Sequence, residues 1–183
     1  MGKRSLAVTL LLLAAMPVCA QVTTIYNNLA PLPNLYNKTS GLTLEHTSNS
    51  SLEWAMPFTP HADYLIIEVQ IAISWVSGFN GATVSICEDK NGLPGMSLRD
   101  YNVQDLPTFG QSSRNIKILK YSKGVKVYGK KQYWIAAKSV NLSSDKWNLT
   151  FNPMNGPIAK NQNNGGWTVA NGPLGALAIF GVR

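Results

Sequence analysis

The sequence has few of the side chains that most often perform catalysis or hold metals. Its 183 residues include two cysteines and two histidines, and only 14% of them are charged. His46 and His61 lack a metal-ligand spacing such as His-Glu-x-x-His, and no Gly-x-Ser-x-Gly nucleophile motif occurs. We therefore predict a protein that is not an enzyme and that needs no cofactor. A hydrolase is kept as a remote alternative, because the nine carboxylates include enough for an acid pair.

Metal ligands are also scarce, and the densest acidic segment has two interpretations. Glu88, Asp89, Asn91 and Gly92 resemble half of a calcium loop. Calcium takes about six to eight oxygen ligands, and the later acidic positions of such a loop are missing here. The sequence therefore favours a plain hairpin turn, in which Asp and Asn bond to the backbone, and predicts no metal site.

Long apolar runs are absent after the first twenty residues. Lys3 and Arg4 precede an apolar run from Leu6 to Met16, and small residues lead up to Ala20. This pattern predicts a signal peptide over residues 1–20, cleaved near Ala20. A membrane anchor needs about 20 apolar residues, which this run does not reach. Lipidation at Cys19 is an alternative. Loss of Lys3 and Arg4 would lower the formal charge from +7 to +5.

Cleavage would leave Cys87 as the one cysteine of the mature chain. An internal disulfide is then excluded, so stability must come from a packed core. We predict that Cys87 is buried as a small hydrophobic residue, with pairing between two chains as the alternative.

Alternation of apolar and polar residues is the main pattern that is present. It is clearest from Leu65 to Ile73, where we predict one strand that buries Ile67, Val69, Ile71 and Ile73. Gly, Asn and Pro punctuate the chain between about nine or ten such short segments. The fold class predicted from this is all-β: a single antiparallel β-sandwich, jelly-roll-like, over residues 21–183.

Four short motifs occur in order along this β-rich part: Gly78-Phe79-Asn80, Asn91-Gly92-Leu93-Pro94-Gly95, Leu106-Pro107-Thr108-Phe109-Gly110 and Gly129-Lys130-Lys131-Gln132-Tyr133-Trp134. With them, residues 58–182 resemble secreted bacterial β-sandwich domains, mostly uncharacterised, that are often found with surface-anchoring signals. The resemblance implies an exported domain with a structural or binding role. It implies no catalytic residues.

Basic residues are concentrated in residues 114–131, where no acidic residue occurs. We predict an anionic-surface patch that consists of Arg114, Lys117, Lys120 and Lys126. The alternation places Lys117 and Lys126 on the face opposite Ile116 and Ile118. Such a patch suits an anionic polysaccharide or lipid headgroups. The alternative is a solvated face that protects an edge strand. Nucleic acid is not expected as a partner of an exported chain.

Tryptophans beside Asn-rich loops suggest a second kind of site. Trp147, Trp167, Asn163 and Asn164 are the candidate ligand-binding residues, because aromatic faces stack on sugars and amides bond to hydroxyls. The alternative is that both tryptophans belong to the core.

Together, these patterns predict an exported, non-enzymatic structural or adhesive module. A carbohydrate-binding module is the alternative. The expected location is secreted, periplasmic or at the cell surface, and the expected partner is a polysaccharide or a cell-surface component. No transmembrane segment is expected in the mature chain. The ligand and the oligomeric state are left open.

Overall fold

The computed structural model describes residues 21–183, and these residues form thirteen β-strands and no helix. The strands are β1 (Thr23–Asn27), β2 (Tyr36–His46), β3 (Ser51–Phe58), β4 (Tyr64–Ile71), β5 (Ile73–Ser77), β6 (Gly81–Lys90), β7 (Leu93–Gln104), β8 (Lys117–Val127), β9 (Tyr133–Ser139), β10 (Ser143–Thr150), β11 (Asn155–Gln162), β12 (Trp167–Pro173) and β13 (Leu177–Val182).

The strands form two antiparallel sheets that pack face to face. The smaller sheet has the order β1-β13-β4-β8, and the larger has the order β5-β10-β2-β3-β9-β6-β7, with the β11–β12 hairpin added alongside β3. The predicted all-β sandwich is confirmed. The predicted count of about nine or ten strands is wrong, because the described residues contain thirteen.

Two of the strands have sequences that do not alternate. β11 reads NGPIAKNQ, and β12 contains both a glycine and a proline. Such residues usually mark turns or edge positions. β11 is nevertheless a strand because it pairs with β3 on one side and β12 on the other. Tertiary pairing therefore overrides local composition in this hairpin.

The strand predicted from Leu65 to Ile73 is in fact two strands that belong to different sheets. β4 ends at Ile71 in the smaller sheet, and β5 begins at Ile73 in the larger one. The chain crosses between the sheets at Ala72, which is fully buried. Its N–H donates to Ala176 O at 3.1 Å, and its carbonyl accepts from Asn148 N–H at 2.8 Å.

A β-bulge at Ile67 changes which residues of β4 face the core. The pairing of β4 with both neighbours shifts between Ile66 and Glu68. An extra residue at a bulge reverses the alternation of faces. Ile66, Val69 and Ile71 are accordingly buried, whereas Ile67 is only partly buried. The prediction is confirmed for Val69, Ile71 and Ile73 and is wrong for Ile67.

The main core lies between the two sheets and includes side chains from strands of both. On one side of the sandwich, the edge strands β7 and β8 face each other. There the rings of Tyr101 and Tyr121 meet edge to face, with centroids 5.9 Å apart. This aromatic pair closes the core between the two edges.

The predicted signal peptide, residues 1–20, lies outside the described residues. Within residues 21–183, no helix is long and apolar enough to cross a bilayer.

The bulge gives a matched test of the core. Ile71→Ala is expected to lower the free energy of unfolding by about 2–5 kcal/mol, because it empties a fully buried site. Ile67→Ala removes the same atoms from a partly buried site and is expected to cost clearly less. Urea denaturation of both variants measures the difference. Equal losses would contradict the assignment of Ile67 to the bulge.

Candidate functional site

A cleft lies at one end of the sandwich, where the edges of the two sheets meet. Its volume is about 530 Å³. The lining residues come from the end of β6, the middle of β7, the end of β8, the β8–β9 turn and the start of β9: Glu88, Asp89, Leu98, Lys126, Tyr128, Lys131, Gln132 and Tyr133. We call this space the Tyr128 cleft.

Tyr128 places an exposed aromatic ring next to two cationic side chains. Its side chain is 43% exposed. Lys126 Nζ lies 5.0 Å from the ring centroid, and Lys131 Nζ lies 5.1 Å from it. Both distances are within the range of a cation–π interaction. The ring therefore holds two ammonium groups together at the cleft.

The turn that carries Tyr128 is held by contacts with the segment just before β4 and with the start of β9. Gly129 N–H donates to Asp63 Oδ1 at 2.8 Å, and Tyr128 N–H donates to Tyr133 Oη at 3.0 Å. A Cβ on Gly129 would lie 2.7 Å from Ala62 Cα, so no larger residue fits without a shift of the backbone. Hydrogen bonds and close packing therefore hold the backbone at Tyr128 and Gly129 in place.

Asp89 supports the opposite wall of the cleft rather than a metal ion. Its Oδ1 accepts from Gln132 Nε2 at 2.7 Å and from Trp134 Nε1 at 2.8 Å, and its Oδ2 accepts from Gly92 N–H at 2.9 Å. Desolvation raises the pKa of Asp89, but these bonds outweigh it, so the pKa is lower than usual.

The hairpin interpretation of this segment is confirmed. Asn91 and Gly92 both have positive φ, 57° and 79°, and form the two-residue loop between β6 and β7. Such loops favour Asn-Gly because both central positions need positive φ. Among residues 21–183, no group of three or more His, Cys, Asp or Glu is placed to hold a metal ion.

The predicted anionic-surface patch does not form one site. Arg114 and Lys117 line a different cleft together with Asp105, whereas Lys126 lines the Tyr128 cleft. Lys120 pairs across the strands with Glu68. At about 3.3 Å per residue, β8 separates Lys117 from Lys126 by up to about 30 Å.

The predicted faces of this segment are also corrected. Leu119 and Tyr121 are buried. Lys117 shares their face of β8, which points towards the core, and is partly buried. Ile118 is 50% exposed and lies with Lys120 on the face of β8 that points to solvent. The sequence reads IKILKY from residue 116, with apolar residues at both parities. The alternation alone was therefore ambiguous.

The four candidate ligand-binding residues also separate. Trp147 is fully buried in the main core, where its Nε1 donates to Ala176 O at 3.2 Å. Its ring therefore has no surface to offer a ligand, and the core alternative is correct for it. Asn163 and Asn164 line a polar cleft of about 320 Å³ with His46, but Asn163 Oδ1 is already bonded to Ser51 N–H at 2.9 Å. Trp167 is partly buried and lines another pocket.

The other candidate groups for chemistry are not arranged together. His61 Nε2 is 2.7 Å from Tyr64 Oη, whereas Asp63 bonds to Gly129, so the two side chains serve different partners. Cys87 is 6% exposed, as predicted, and burial raises the pKa of its thiol to about 11. A thiol with that pKa is a poor nucleophile at neutral pH.

Tyr128 and Lys131 are the important residues that the predicted site left out. Both lie in the sequence KVYGKKQY, where an aromatic residue is flanked by lysines. This is a usable signal for a cation–aromatic cluster, but only the turn geometry brings both lysines to one ring.

Asp145 is a carboxylate buried inside the sandwich. It is 0% exposed, and its Oδ2 accepts from Ser139 Oγ at 2.6 Å, while its Oδ1 has no partner. Desolvation raises its pKa from 3.8 to about 6, and the hydrogen bonds from Ser139 and Ser143 offset only part of this effect. Perturbed acids often mark active sites, but Asp145 lies in the core, two residues before the buried Trp147.

Comparisons with known proteins give no relative: no family model, no curated protein and no solved structure matches the chain.

Asp145 predicts how stability depends on pH. Because its pKa is raised in the folded state, the native protein holds a proton between about pH 4 and 6 that the unfolded chain has released. Its contribution to stability therefore falls as the pH rises through that range. Asp145→Asn removes this dependence, so the stability of the variant relative to wild type is expected to increase from pH 4 to pH 7.

Urea denaturation across this pH range measures the effect, and Asp105→Asn controls for the loss of one exposed negative charge. If the difference in unfolding free energy between Asp145→Asn and wild type is the same at every pH, Asp145 has the same pKa in the folded and unfolded states and the prediction is wrong.

Proposed function

We propose that the protein is an exported, non-enzymatic module with a structural or adhesive role, which binds an anionic polysaccharide through the Tyr128 cleft. The observation that carries this proposal is the Tyr128 ring with Lys126 Nζ and Lys131 Nζ 5.0 and 5.1 Å from its centroid. A saccharide presents apolar C–H faces that an aromatic ring can cover and, when acidic, negative groups that ammonium groups can pair with.

The position of the cleft favours a chain-like ligand. It opens between the edges of two sheets rather than inside a closed core, so a polymer can enter and leave without unfolding any strand. Lys123 adds a further exposed positive charge to β8, whereas Lys120 lies opposite Glu68. Such a surface attracts anionic polymers over a distance of about 8 Å at physiological salt.

Glu88 gives the proposal a specific direction of charge. This exposed carboxylate lines the same cleft as the two lysines. A negative group of the ligand is therefore expected to bind near Tyr128 and to avoid Glu88. Removing the charge of Glu88 should then raise the affinity for an anionic ligand, and removing the charges of the lysines should lower it.

The expected result is that the mature protein binds a polyuronate or a sulfated dextran and does not bind neutral dextran at the Tyr128 cleft. Lys126→Gln with Lys131→Gln should weaken binding strongly. Lys38→Gln with Lys160→Gln changes the net charge equally at other places and should have a small effect. Glu88→Gln should strengthen binding, and raising the salt from about 0.1 M to 1 M should abolish it, because the screening length falls from about 10 to 3 Å.

Tyr128 separates this site from general attraction by a basic protein. Tyr128→Phe keeps the ring and is expected to retain binding, whereas Tyr128→Ala should reduce it. Titration calorimetry measures these affinities. Equal losses in the two lysine pairs would contradict the proposed site, and an absence of binding to any anionic polysaccharide would contradict the proposed function.

A further inference from the structure

The larger sheet carries a second apolar cluster on the face that points away from the sandwich core. It contains Ala55, Cys87, Trp134, Ala136 and Ala159, with Trp167 packed against it. These residues alternate with core residues along β3, β6 and β9, so they lie on the opposite side of the sheet. An outward face of a sandwich is usually solvated, and this one is buried.

Curvature of the sheet explains this burial. The hairpin β11–β12 is added to β3, and β12 also approaches β7, which is on the far side of β9 and β6. Three strands lie between β12, which carries Trp167, and β6, which carries Thr83. A flat sheet would therefore place the two residues four strand spacings apart, or about 19 Å. Both nevertheless line a single pocket of about 110 Å³. The strands therefore curl around a trough, with Trp167 on its wall.

One row of side chains crosses this trough from strand to strand. Trp167 pairs with Asn161, Asn161 pairs with Glu53, and Lys138 pairs with Thr83. Trp54 of β3 pairs with Ala137 of β9, and these strands are antiparallel. Glu53 and Lys138 are the next residues of the two strands and therefore lie opposite each other. Glu53 and Lys138 line the pocket together with Trp167 and Thr83. Residues directly opposite one another share a face.

We infer that this trough is a binding site for a neutral saccharide unit, separate from the Tyr128 cleft. The unburied part of the Trp167 ring offers an apolar surface, Glu53 offers acceptors, and Lys138 offers donors. Neighbouring hydroxyls of a sugar ring need both kinds of partner. Glu53 and Lys138 carry charges of opposite sign that cancel, so this pair favours an uncharged ligand.

The size of the pocket limits what it takes. Sites for drug-sized molecules usually measure about 300–1,000 Å³, and this pocket is about 110 Å³. One sugar ring of a longer chain, held partly in solvent, fits this geometry better than a large compact ligand. Its floor is made of small side chains, including Ala136 and Cys87, which leave room beside the Trp167 ring.

The probes are neutral manno-, xylo-, gluco- and N-acetylgluco-oligosaccharides, tested with the mature protein on an array and then by tryptophan fluorescence titration. Binding of at least one neutral family is expected. Trp167→Ala should weaken it by about tenfold or more, and Trp167→Phe should retain most of it. Thr168→Ala changes an exposed neighbour on the same strand and serves as the matched control.

Glu53→Gln and Lys138→Gln keep the test decisive if Trp167→Ala unfolds, because both leave the ring in place. Each is expected to weaken neutral sugar binding, whereas Lys126→Gln with Lys131→Gln should leave it unchanged. The inference is overturned if no neutral oligosaccharide binds, or if binding persists in Glu53→Gln, Lys138→Gln and a folded Trp167→Ala variant. Either failure leaves the proposed binding of anionic polysaccharides to be judged separately.

Discussion

Three backbone hydrogen bonds close a ring at the place where the two sheets are joined. Asn148 N–H donates to Ala72 O at 2.8 Å, Ala72 N–H donates to Ala176 O at 3.1 Å, and Ala176 N–H donates to Asn148 O at 2.8 Å. All three residues are fully buried. Buried backbone groups need partners. Ala72 and Ala176 lie outside the strands, so no strand ladder pairs their backbone groups, and Asn148 of β10 bonds to both residues. The ring lets the chain cross between the sheets at Ala72 and at Ala176 without leaving such groups unpaired.

Side chains reinforce the ring from several directions. Asn148 Oδ1 accepts from Ser74 Oγ at 2.6 Å, and its Nδ2 donates to Asn37 O at 3.1 Å. Asn28 donates to Gly175 O at 2.9 Å and accepts from Leu177 N–H at 2.7 Å. The side-chain amides of Asn148 and Asn28 therefore form hydrogen bonds with other groups of the protein. The ring therefore fixes how the smaller sheet lies on the larger one, and the Tyr128 cleft, lined by β8 of one sheet and β6, β7 and β9 of the other, depends on that placement.

The sequence predicted the features that local alternation encodes and missed those that arise from the path of the chain. The burial of Val69, Ile71 and Ile73 followed from period-two spacing. The bulge at Ile67 and the crossing at Ala72 did not, because a bulge and a change of sheet leave no signal in a run of apolar residues. The hairpin β11–β12 is stabilised by its pairing with β3, which lies far from it in the sequence.

The candidate sites show the same limit. Composition drew attention to lysines and tryptophans, but burial decides which of them can meet a ligand. Trp147 is in the core, and Trp167 keeps part of its ring free beside a pocket. Lys117 and Lys126 belong to one basic run but lie near opposite ends of β8, in different clefts. Tyr128 gains its importance from a turn held by Asp63, a contact between distant segments.

Native-state amide hydrogen exchange tests the role of the ring most directly. If the ring holds the sheets together, the amides of Ala72, Asn148 and Ala176 are expected to exchange only through global unfolding. Their opening free energies should then equal the free energy of unfolding measured with denaturant, as for Ile135 in the middle of β9. Exchange of the three ring amides through a local opening of clearly lower free energy, while Ile135 stays fully protected, would contradict this account.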